Sequence, residues 1–102
     1  MSKAEPAVTD DRKDERFVLS RDKQKAELVY EVDHGNLLLL HTEVPEAFRG
    51  QGVGGRLVEA AVARARTDNL TVVPWCPYAR RWLQEHSEAT TGVAIDFETL
   101  PP

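Results

Sequence analysis

The chain has 102 residues and one cysteine, with 41% hydrophobic and 29% charged residues and a formal net charge of −4. That is enough for one small domain, and the acidic balance argues against a general nucleic-acid or anionic-membrane binder. A lone Cys76 excludes an internal disulfide and a cysteine-based zinc cage, and Leu37 to Leu40 is too short an apolar run to span a bilayer. Without an apolar signal-type core near the N-terminus, the expected location is the cytoplasm.

Residues 1–15 are almost entirely polar and read as a disordered leader. Phe17-Val18-Leu19 is the first strand-like segment. After the polar turn Arg21 to Gln24, Ala26, Leu28, Tyr30 and Val32 alternate with Glu27, Val29, Glu31 and Asp33, as in a strand with one buried face. His34-Gly35-Asn36 supplies the residues of a tight hairpin turn. Asn36 to Val44 is the next strand, and its four consecutive leucines suggest burial on both faces, as in a central strand covered by helices. Simple alternation puts Leu37, Leu39, His41 and Glu43 on one face and Leu38, Leu40, Thr42 and Val44 on the other.

Pro45 ends that strand, and Glu46-Ala47-Phe48 bridges to a glycine-rich turn holding Arg49, Gly50, Gly52, Gly54 and Gly55. Val53 to Thr67 has helical period, with Gly54, Leu57, Val58, Ala61, Val62 and Ala65 on its apolar face. Asp68-Asn69 stops the helix, and Leu70 to Val73 forms a short β-branched strand, giving a parallel crossover. Pro77 opens a last helix running to about His86. Residues 87–102 form a weakly patterned tail in which Val93 to Phe97 reads as a short strand or simply as tail.

Several backbone N–H groups aimed outward from a glycine turn at a helix start suit a phosphate or pyrophosphate. Gly50, Gly52 and Gly55 formally satisfy G-x-G-x-x-G, but five residues separate the strand from the first glycine. No acidic residue ends the following strand either, so a dinucleotide site is disfavoured. A P-loop fails because no Gly-Lys-Ser/Thr follows. The remaining alternative is a glycine turn without a ligand.

Arg49-Gly50-Gln51-Gly52-Val53-Gly54 resembles the Arg/Gln-x-x-Gly-x-Gly/Ala signature of the Gcn5-related N-acetyltransferase superfamily. With CPYARRWL after a short strand, the stretch from residue 16 to residue 86 is similar to its very small YjdJ-type members. The resemblance implies a minimal α+β domain over residues 16–86, with a mixed sheet led by antiparallel hairpins, a crossover helix and a final helix. The two acceptor-side helices of larger members are missing, with only Ser20 to Gln24 in their place.

It further implies acetyl-CoA as co-substrate and an unidentified amine, small or a protein lysine, as acceptor. No metal, nucleic-acid or membrane partner is implied, and the choice between monomer and homodimer stays open. Pyrophosphate contacts fall on Arg49, Gly50, Gln51, Gly52, Val53 and Gly54, and pantetheine lies along Thr42 to Val44. Arg56 reads either as a phosphate contact or as a solvated arginine.

Larger members open the last helix with Asn and carry a Tyr further along that protonates the CoA thiolate. Cys76 and Leu83 stand near those two places here, with Tyr78 as a substitute outside the pattern. The candidate catalytic residues are His41, Glu43 and Cys76. His41 is of the type that takes up protons near neutral pH, and Glu43 can act directly or through water. Cys76 is either an acetylated nucleophile or a small packing residue at a strand–helix junction. A CoA-binding or interaction module with little transferase activity is the rival from another class.

Overall fold

The computed structural model describes residues 7–102. Five strands, β1 (Thr9–Asp11), β2 (Arg16–Arg21), β3 (Gln24–Asp33), β4 (Asn36–Glu43) and β5 (Thr71–Pro74), form one sheet in sequential order. The first three pairings are antiparallel, and β4 and β5 run parallel. Helix α1 (Val53–Asp68) makes the crossover between them, and α2 (Pro77–Glu85) follows β5. This is the small α+β mixed sheet expected.

Two-residue turns make the hairpins. Asp22 and Lys23, then His34 and Gly35, all have positive φ, the geometry whose twist matches the flanking strands. β2 therefore passes directly into β3, leaving no room for intervening helices. Both helices pack on one face of the sheet, where Leu28, Leu37, Leu39, Leu57, Val58, Ala79 and Leu83 share a single buried cluster. Each fully buried leucine there contributes about 2 kcal/mol.

The leader was expected to be disordered through Glu15, but Thr9–Asp11 pairs with Arg16–Val18 as an edge strand. Residues 1–6 of that leader lie outside the described residues. The strand is held from outside itself. On α1, Arg64 donates to Asp10 (2.7 Å), Asp68 (2.6 Å) and the Tyr30 hydroxyl (3.0 Å). Tyr30 in turn donates to Asp10. Burial works against the Arg64 charge, but its bonds to Asp68, Tyr30 and Asp10 outweigh that and raise its pKa above the ordinary arginine range.

The alternation expected along β4 also needs correction. Tyr30 pairs with Leu39 but Val29 pairs with His41, so Leu40 is an extra residue, a β-bulge. Past the bulge the faces exchange. Thr42, opposite Leu28, joins Leu37 and Leu39 on the helix-covered face, while His41, opposite Val29, and Glu43, opposite Glu27, point to the other.

At the other edge of the sheet the C-terminal segment runs along β5. Val72 donates to Ala94 O (2.9 Å) and Asp96 donates to Val72 O (2.8 Å), around a single parallel bridge to Ile95.

Candidate functional site

The β4–β5 pairing ends at Leu39 and Pro74, and the last tie is the Cys76 N–H donating to Leu39 O (2.8 Å). Beyond it β4 runs on while the chain turns into α2, so the two diverge. Parallel strands that part at their C-terminal ends leave a crevice, the usual ligand position in such sheets. A cleft of about 430 Å³ lies there. One wall is Thr42 and Val44, a second is Phe48, Arg49, Gly50 and Gly52 to Gly54, and the third is Tyr78 from α2.

The glycine wall follows from local chemistry. Pro45 stops β4, a 3-10 turn covers Glu46–Phe48, and Gly50 (φ 75°) and Gly52 (φ 70°) take conformations that side chains strain to adopt. Nothing lies within 4 Å of where a Cβ would stand at either, so both face open space. Gly52 caps α1 without a side-chain hydrogen bond, and the first turn holds no acidic residue. The first N–H groups of the helix therefore keep their positive potential for something else.

Gly54 serves a different need. A Cβ there would stand 2.6 Å from the Tyr78 hydroxyl, and one at Gly55 would stand 2.6 Å from Trp82 Nε1. These two glycines let α2 lie directly on the first turn of α1 and hold the phenol at the cleft. Burial raises the Tyr78 pKa, and the neighbouring Cys76 adds to the rise, so the phenol is protonated at neutral pH.

Of the cofactor residues expected from the sequence, Thr42, Val44, Arg49, Gly50, Gly52, Val53 and Gly54 line the cleft. Gln51 does not; its side chain turns away, donating to Ala47 O (3.0 Å) and accepting from Arg21. Cys76 is buried beside the cleft with its Sγ 3.1 Å from Thr42 Oγ1. His41 Nε2 and Glu43 Oε1 are 3.2 Å apart with side chains 63% and 68% exposed, on the opposite face of the sheet. The structure thus separates the three candidate catalytic residues into a pair and a single.

Phe48 was read in the sequence only as part of the bridge to the glycines. It is 2% exposed and completes the cleft wall. An aromatic residue alone in a polar loop is the signal that could have found it.

A family model described as GCN5-related N-acetyl-transferase matches residues 16–92. The chain belongs to the GCN5-related N-acetyltransferase family. Among curated proteins, Protein NATD1 of Xenopus tropicalis is 35% identical over 82 residues, covering 78% of this chain and 75% of that protein. Protein NATD1 of Danio rerio is 34% identical, covering 78% and 74%, and that of Homo sapiens 32%, covering 78% and 73%. For this member of the GCN5-related family, the matched stretch contains the whole cleft and both helices around it. Among the described residues no helix is long and apolar enough to cross a membrane, and no group of three or more His, Cys, Asp or Glu is placed to hold a metal ion.

Proposed function

We propose that the chain is an N-acetyltransferase that takes acetyl-CoA in the β4–α1 cleft and passes the acetyl group to an amine. The observation that carries this reading is the glycine wall: an uncapped helix N-terminus opening onto a cleft whose other side is strand backbone. Such a wall fits a pyrophosphate, because it offers donors and positive potential with no carboxylate nearby in the first turn.

Bound acetyl-CoA would supply the activated acetyl thioester. The backbone of Arg49 to Gly54 would hold its pyrophosphate, and the peptide groups of Thr42 to Val44 its amide arm. The Tyr78 phenol, protonated and on the cleft wall, stands ready to deliver a proton to a leaving thiolate. His41 and Glu43 lie across the sheet, beside the edge of β4 left unpaired beyond Leu39. An amine entering by that face would meet them first, and the pair would remove the ammonium proton before attack. Cys76, in contact with Thr42, is read as packing at the strand–helix junction.

The same placement gives the second reading its support. Two highly exposed proton acceptors across the sheet from the cleft also suit a CoA-binding or interaction module without efficient transfer.

Calorimetry with acetyl-CoA tests both readings, since absence of binding sinks them together. A panel of amines and lysine peptides with thiol release as readout then separates them. In an active enzyme, Tyr78→Phe is expected to lower kcat about thirtyfold with the Kd for acetyl-CoA within about twofold. Acceptor-independent thiol release that Cys76→Ala abolishes would move the reading to a covalent mechanism.

A further inference from the structure

The glycine wall is short of support from its own sequence. Its internal bonds are turn contacts, Phe48 to Pro45 O (2.9 Å), Arg49 to Glu46 O (3.0 Å) and Gln51 to Phe48 O (3.3 Å). A distant residue reaches across to it. Arg21 ends β2 and is fixed by pairing with Gln24 across the two-residue turn. Its guanidinium lies 5.0 Å above the Phe48 ring and donates to the Gln51 side-chain carbonyl. The amide end of the same Gln51 donates to Ala47 O (3.0 Å). One cation thus grips the loop at two points, the cleft-lining aromatic and a glutamine laced back into the turn. A cavity of about 290 Å³ remains between the hairpin tip and the loop, so the loop is braced from this side by a few contacts and not by close packing.

We propose that Arg21 is a positioning residue for the glycine loop and sets its affinity for the pyrophosphate end of CoA. The inference rests on the acetyl-CoA reading of the cleft. The guanidinium suits the task, since its planar donors hold a carbonyl while its face lies on an aromatic ring. Its effect is to restrict a segment that would otherwise lose freedom when ligand binds, so the brace makes that loss before binding. It reaches the pyrophosphate through Gln51 and Phe48, which differs from an arginine that grips phosphate itself.

The test compares two ligands that differ in the pyrophosphate. The full chain and its variants are titrated with CoA by calorimetry and with pantetheine, which lacks the pyrophosphate, by ligand-observed NMR. Arg21→Ala is expected to weaken CoA binding about tenfold, about 1.4 kcal/mol, and to leave pantetheine binding unchanged. Arg21→Lys, which keeps a cation near the ring but loses the planar donors, should recover part of the loss. Lys25→Ala removes one charge from the same hairpin on the other sheet face and should change neither ligand. In parallel, tryptic cleavage after Arg49 should accelerate in Arg21→Ala.

Unchanged CoA affinity in Arg21→Ala, or an equal loss for both ligands, overturns the proposal while leaving the cleft assignment standing. So does an equal loss in Lys25→Ala, which would make the effect one of net charge. Wild-type protein that binds no CoA overturns the cleft assignment itself.

Discussion

The two ends of α1 are built on opposite plans. At the C-terminal end polar groups satisfy one another. Arg64 is shared among Asp10, Asp68 and Tyr30, Asn69 closes the helix in the left-handed conformation, and Arg66 donates to Thr91 O (3.1 Å). At the N-terminal end the cap is a glycine with no side-chain bond, and the donors open onto a cleft. A helix of sixteen residues spans about 24 Å, so the two ends are too far apart to interact directly. In so small a domain, closure at one end lets the other stay open for a ligand without loosening the core between them.

The largest expected effect breaks the closed end. Arg64→Ala leaves the carboxylates of Asp10 and Asp68 with only the exposed, longer-range Arg12 between them (3.6 and 3.7 Å) and should destabilise by about 2 kcal/mol, lowering Tm by roughly 10 °C in a thermal melt. CoA affinity should stay within about twofold, and a larger change would show that the ends are coupled after all.

Gly54→Ala addresses the open end. The added methyl meets the Tyr78 ring, so the phenol must swing from the cleft wall. CoA binding should weaken about tenfold while Tm moves by only a few degrees. A large Tm loss with intact binding would reverse the roles assigned to the two ends.

The smallest effect lies at the tail. Hydrogen bonds from the Thr99 hydroxyl, then from the Thr99 and Glu98 N–H groups, lower the Asp96 pKa. A depressed folded-state value stabilises the folded chain above the ordinary value of 3.8 and is lost as pH falls through the folded one. Trp75, whose indole donates to Thr99 O (2.9 Å), should report this by fluorescence as a shallow acid transition, and Asp96→Asn should remove it.

What the sequence revealed and what it hid follow from the range of the interactions. The hairpin at His34-Gly35, the period of α1 and the glycine wall are local, written in residues a few positions apart. The strand at Thr9–Asp11 depends on Arg64, 54 residues beyond Asp10, and its charged residues gave no local sign of order. The Ile95 bridge to Val72 is likewise long-range. The bulge was hidden by the composition of β4 itself. Four leucines in a row satisfy either register, so no polar residue marks where the alternation changes. His41 and Glu43 were rightly placed together, but on the wrong side.

That extra leucine makes β4 a strand with two reading frames. Upstream of it the odd-numbered residues face the helices; downstream the even-numbered ones do. The inventory of side chains around the cleft is therefore set by the bulge as much as by residue identity. Pairing Leu40 as an ordinary ladder residue, with no bulge, would present His41 and Glu43 to the helix-covered face and turn Thr42 outward, with none of the three substituted. Among relatives, loss of the bulge at constant strand length is a route to altered chemistry that a comparison of residue types alone would overlook.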